Sequence, residues 1–299
     1  MSLIKIHLAR SLLFPSLLCL DAPFVALGWA LCLLADLGES GRSNYGPVAA
    51  ALFLSLWLIY LFDRLYDVAR SEKGAALARR HEWARGHRPL LGGLFGVALF
   101  SFLLVVLPRL DRDTVLLGLA LGLLTGLYYF AFRFSRLYLR LRGAVPFKES
   151  MIALCFAGGI LLVAGPTAFR AGFLPLVAGY LSLFTANCLL ISHAERGIDR
   201  LADRAAYFSE NVSPSPGKPA SRLPGGGALF ASICGWLTLI FETGWVRSSS
   251  SLILCGFFTF LLTRRSGNED GIAQPLADGI QLLPWLVLSV ETAWEMAFA

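Results

Sequence analysis

The sequence predicts an all-α, polytopic membrane bundle of about nine transmembrane helices. Three observations carry this. Of 299 residues, 56% are hydrophobic and only 15% charged, whereas a soluble domain holds closer to ~25% charged residues; the mean hydropathy is +0.65. The apolar residues fall in long runs, and about 20 such residues in a helix cross a ~30 Å hydrocarbon core. Lys and Arg gather in every second connection between the runs, as cytoplasmic loops do. In lipid each backbone group must be satisfied within its own segment, so the runs are helices.

In chain order the runs cover roughly 14–36, 47–67, 90–107, 114–132, 148–165, 172–196, 226–242, 248–263 and 277–296. The first follows Lys5 and Arg10, as the core of a secretory leader would. Asp21 and Pro23 interrupt it and it continues to Ala35, so it reads as an uncleaved first span. No long polar segment separates the runs. The chain therefore reads as one transmembrane domain with two four-helix pseudo-repeats, roughly 14–132 and 148–263, and a final helix.

The loop after the second run carries Arg70, Lys73, Arg79, Arg80, Arg85 and Arg88. The fourth run is followed by Arg133, Arg136, Arg140, Arg142 and Lys148, and the sixth by Arg196, Arg200, Arg204, Lys218 and Arg222. Arg264 and Arg265 follow the eighth. The other side has only Arg42, Arg109, Arg112, Arg170 and Arg247. This places the N-terminus in the cytoplasm and the C-terminus on the opposite side of the membrane. The net charge of +6 follows from that topology. No basic soluble module is visible, so no nucleic-acid partner is expected.

The six cysteines all lie in apolar runs and none has a CxxC partner, so they read as small buried hydrophobes. Gly118, Gly122 and Gly126, like Gly92 and Gly96, repeat every four residues, a spacing that lets helix backbones approach. Residues 205–225, rich in Ser, Pro and Gly, read as a flexible linker.

Acidic residues near hydrocarbon are costly and mark function. This chain repeats one acidic pattern. Asp63-Arg64-Leu65-Tyr66-Asp67 ends the second run, and Asp199-Arg200-Leu201-Ala202-Asp203 ends the sixth, one turn after Glu195. Carboxylates four apart share a helix face and repel. Protonation relieves that repulsion, and so does a bound divalent cation. Mg²⁺ takes oxygen ligands together with substrate phosphates. Two facing D-x-x-x-D tips thus suit a Mg²⁺-bridged diphosphate, with nearby cations on the remaining phosphate oxygens. Arg70 and Lys73 are the nearest downstream, followed by Arg142 and Lys148 before the fifth run. Each motif alone is equally a solvated ion-pair face, and each cation equally a product of topology; the repetition at one depth favours a site.

These features resemble the UbiA-type intramembrane prenyltransferases, over essentially the whole chain. That family carries N-D-x-x-D-x-x-x-D or N-x-x-x-D-x-x-x-D after its second span, matched here by Ile59, Asp63 and Asp67, with isoleucine in place of asparagine. Its second motif, followed by Arg-Ala-Ala, is matched by Glu195, Asp199, Asp203, Arg204, Ala205 and Ala206. The resemblance implies that an isoprenoid chain is transferred from a prenyl diphosphate to a lipophilic, commonly aromatic acceptor within the membrane. It implies Mg²⁺ at Asp63, Asp67, Asp199 and Asp203, with Glu195 as a further ligand, and an active site facing the cytoplasm. The alternatives are a member that binds a lipid diphosphate or a partner without turnover, and a membrane transporter.

Overall fold

The computed structural model describes residues 15–38, 45–70, 79–134, 147–165, 173–202, 222–241, 243–265 and 273–298. Among them are eleven α-helices and no strand. They are α1 (Asp21–Leu37), α2 (Tyr45–Arg70), α3 (Arg79–Gly86), α4 (Arg88–Phe100), α5 (Arg112–Phe134) and α6 (Phe147–Ala164). After these come α7 (Phe173–Ala202), α8 (Arg222–Phe241), α9 (Val246–Arg265), α10 (Ala273–Ile280) and α11 (Leu283–Phe298). Six helices, Tyr45–Ala69, Arg88–Arg109, Phe147–Ala164, Phe173–His193, Pro224–Phe241 and Val246–Thr263, are long and apolar enough to cross a membrane. Leu104, Leu119, Leu123, Ile240 and Val290 are 60–73% exposed, which suits helices solvated by lipid.

Among the described residues these six stand against the nine expected. The first run is broken before Asp21: Cys19 is left-handed (φ 59), and the Trp57 indole donates to the Leu18 carbonyl at 2.9 Å. Pro23 sits in the first turn of α1, where no backbone bond is lost, and α1 keeps only 17 residues. The last run is split into α10 and α11. The fourth forms a helix, α5, started by Asp111, whose carboxylate accepts the Thr114 N–H at 2.9 Å as an N-cap does. Part of the basic connection after α2 is itself helical. In α3, Ala84 packs with Leu61, Val68 and Leu91, so the connection folds back against the end of α2.

The α1 helix is the hub. It packs against α2, α6, α9, α10 and α11 and buries Trp29, Ala30, Cys32 and Leu33 completely. The Trp29 ring meets Tyr180 of α7 edge-on at 5.1 Å, and Phe184 stands T-shaped against Phe156 of α6 at 4.7 Å. These aromatic contacts tie α1, α6 and α7 into one core.

Close helix contacts use other glycines than the expected ones. Among the described residues, a side chain at Gly92, Gly96, Gly118, Gly122 or Gly126 would meet nothing within 4 Å. Small residues permit close approach without requiring it. The α8 and α9 helices approach through Gly235 and Gly256 instead: a Cβ at Gly256 would stand 2.6 Å from the Ala228 carbonyl oxygen, and one at Gly235 would stand 2.9 Å from that of Ser249. Backbone oxygens cannot rotate aside. Gly256→Leu is expected to cost about 1–3 kcal/mol or more, seen as a lower thermal midpoint in detergent, while Gly122→Leu leaves that midpoint unchanged.

Pro284 explains the split last run. It has no N–H to offer the Ile280 carbonyl four residues back, and its ring crowds that oxygen. Residues 281 and 282 leave the helix. The Cys255 thiol donates to Ile280 O at 3.2 Å and the Cys32 thiol to Pro284 O at 3.6 Å. Two cysteines therefore supply the break with partners, in keeping with their expected burial and with all six being free thiols.

Candidate functional site

At a rise of ~1.5 Å per residue, Asp63 lies about 27 Å along α2 from Tyr45, near the far boundary of a hydrocarbon core. Asp63 and Asp67 are partly exposed, with Arg64 buried (8% exposed) between them. Ile59, at the expected asparagine position, is 40% exposed, and Phe62 beside it 49%. The 30-residue α7 is about 45 Å long, more than a membrane requires. Its last turns, which hold positions 195 and 199, extend the helix beyond the apolar span Phe173–His193.

The helix α6 lies between α2 and α7 and packs on both. Near this end the two helices come within electrostatic range of each other through Tyr60 and Cys188. The Tyr60 hydroxyl is also in range of Asp21, Asp63 and Asp278. Cys188 is in range of Lys148, Glu149 and Asp278. Five helices thus contribute groups in electrostatic range of the Tyr60–Cys188 pair: Asp21 from α1, Asp63 from α2, Lys148 and Glu149 from α6, and Asp278 from α10, about Tyr60 of α2 and Cys188 of α7. Glu149 is buried, with 3% exposure. The Asp21 carboxylate accepts the Ala22 N–H at 3.0 Å.

Of the residues expected from the sequence, Asp63 lies in electrostatic range of Tyr60 and Lys148 in range of Cys188. Asp67 lies one turn beyond Asp63 on the same helix. Lys73, Arg142 and Asp203 lie outside the described residues, as do the side chains of Arg70, Glu195 and Asp199. The meeting of the two D-R-L-x-D tips is thus a matter of helix register: position 195 follows Cys188 by two turns. Glu149, Asp278 and Arg64 are polar residues that spacing alone passed over. Asp278 had a signal of its own, a carboxylate inside an apolar run.

Asp21, Asp63 and Asp278 face Tyr60, and Lys148, Glu149 and Asp278 face Cys188, so acidic oxygens and one ammonium share this end of the bundle. Oxygen donors of this kind suit Mg²⁺ chemically. Among the described residues no three His, Cys, Asp or Glu side chains come close enough together to hold a metal ion, so the ligand set expected from the sequence depends on α7 positions beyond them. Compared with known proteins, the chain matches no family model, no curated protein and no solved structure.

Proposed function

We propose that the chain is a UbiA-like transferase that moves an isoprenoid chain from a prenyl diphosphate to a lipophilic, aromatic acceptor within the membrane. One observation carries the reading: Asp63, in the first of two D-R-L-x-D motifs, lies in electrostatic range of Tyr60, as does Cys188 on the helix bearing the second motif. In this reading the bundle makes nine crossings, with α1 and the α10–α11 pair completing the six longer helices. The basic loops face the cytoplasm, and these polar groups open to that side.

Asp63, Asp67, Glu195, Asp199 and Asp203 are the residues to hold Mg²⁺, which when bound supplies positive charge to offset the leaving diphosphate. Lys148 contacts phosphate oxygens as a point charge. Arg64, held between the two acids of α2, orients them by its own positive charge. Ile59 and Phe62 form an exposed apolar edge beside Asp63, a route by which an isoprenoid tail reaches the site from lipid. A second reading, a member that binds a lipid diphosphate without turnover, is favoured by one residue: Ile59 removes an amide from the first motif.

Purified protein incubated with Mg²⁺, labelled prenyl diphosphates and aromatic acceptors distinguishes the two. Transfer predicts Mg²⁺-dependent diphosphate release that disappears in Asp199→Ala, and a rise of about tenfold in Ile59→Asn, worth ~1.4 kcal/mol of barrier. Mg²⁺-dependent binding without release in either protein points to the second reading. Neither binding nor release removes both.

A further inference from the structure

One buried face of α9 carries polar side chains through about half the depth of a membrane. Ser248, Ser251, Cys255 and Thr259 are spaced at i, i+3, i+7 and i+11, a single helical face. All four are 0% exposed. The row spans about 16 Å at ~1.5 Å per residue, half a hydrocarbon core. Facing it, the Cys32 sulfur lies 3.7 Å from the Ser251 hydroxyl. The Tyr180 hydroxyl stands beside Ser248 and within electrostatic range of Cys32, Asp36 and Cys255.

The helix break continues the row. Cys255 reaches Ile280 O, and the next residue, Gln281, is 1% exposed. Among the described residues both amide atoms of Gln281 lack a hydrogen-bond partner, as do Trp29 Nε1 and Thr259 Oγ1, while Ser248 lies between the Tyr180 hydroxyl and the Asp36 carboxylate. In a membrane interior such atoms cost several kcal/mol each unless something bonds them. Apolar side chains would have filled the same space at no such cost. Non-helical backbone at membrane depth is tolerated where it is buried in protein or lines a water-filled cavity, and broken helices of this kind build transport sites. Charged groups stand at both ends. Asp36 lies with Arg247 and Glu291 at one. At the other, Asp278, three residues before Gln281, reaches Tyr60 and Cys188.

We propose that this row, with Gln281 at the helix break, is a proton-conducting thread through the bundle, its polar side chains joined by interposed water. Hydroxyl and amide groups both donate and accept, so water between them passes a proton along without any covalent step. A metal ion would want a cluster of acidic ligands, which the row lacks. The thread is a second activity and does not depend on the transferase reading.

The test reconstitutes the full-length protein in vesicles enclosing a pH-sensitive dye. A potassium gradient with valinomycin provides the driving force and the compensating charge. The expected result is proton entry several-fold above that of protein-free vesicles. Gln281→Leu and Tyr180→Phe each reduce the excess at least fivefold, while Ser289→Ala, on the exposed side of α11, leaves it unchanged. Wild-type vesicles no leakier than protein-free ones overturn the proposal whatever the variants do. So does full conduction in both Gln281→Leu and Tyr180→Phe. Monodisperse elution in detergent shows that each variant is folded, and Ser251→Ala replaces either one that is not. No prenyl diphosphate is present, so failure here leaves the transferase reading where it stood.

Discussion

Asp36→Ala lowers the thermal midpoint of the detergent-solubilised protein by on the order of 10 °C. The Asp36 side chain is 1% exposed. Its two oxygens accept the backbone N–H groups of Arg247 and Ser248, each at 2.8 Å, and so cap α9 from another helix. The carboxylate also sits at the positive end of the α9 dipole. The Arg247 guanidinium donates to Ala35 O at 2.8 Å and grips Glu291 with two bonds, one of them Nη2 to Oε1 at 2.5 Å. Truncating Asp36 leaves the Arg247 and Ser248 N–H groups without their acceptor in a buried place, at about 1–3 kcal/mol each, while Arg247 keeps Glu291. At ~2–4 °C per kcal/mol for a chain of this size, the midpoint falls by the stated amount. Glu291 is 35% exposed, so Glu291→Ala costs only about 1 kcal/mol. Equal, small shifts in both variants would show that Asp36 is no cap in the folded protein.

On the proposed transferase reading, Asp63→Ala reduces Mg²⁺-dependent diphosphate release at least 100-fold, with little change in the thermal midpoint. Removing one group aimed at developing charge costs about 2.7–4 kcal/mol of barrier, or 10²–10³ in rate. The midpoint holds because Asp63 is partly exposed and lies outside the buried cores. Asp278→Asn gives a comparable fall if α10 belongs to the same site. Release that survives in Asp63→Ala at the wild-type rate removes the transferase reading, and a collapse of stability in that variant assigns Asp63 a structural role instead.

The helical, membrane-compatible character of the chain was readable from its apolar runs, because bilayer thickness fixes how long such runs must be. The interruptions were harder to read. Asp21 and Pro23 announced a disturbance in the first run, but the turn itself centres on Cys19, a residue with no turn preference. Pro284 split the last run although apolar residues continue on both sides; whether a proline kinks or breaks a membrane helix depends on what can bond the freed carbonyl, here Cys255 from a distant helix. The glycine repeats in α4 and α5 showed where backbones are able to approach, and the chain packs elsewhere. At the site, Asp63 was visible through its repeated motif. Glu149 and Asp278 carry no motif, since they reach the Tyr60–Cys188 pair only through the packing of α6 and α10.

The hub position of α1 has a consequence in time. The Trp285 indole of α11 donates to Phe24 O at 2.9 Å across 261 residues, and the same ring fills the notch at Gly28. At roughly 5–20 residues per second of synthesis, α1 waits between about ten seconds and a minute for that neighbour to be made. During that interval one flank of α1 has only lipid or the insertion machinery for company. Removing α11 would leave that nascent intermediate as the end product, a substrate for membrane quality control.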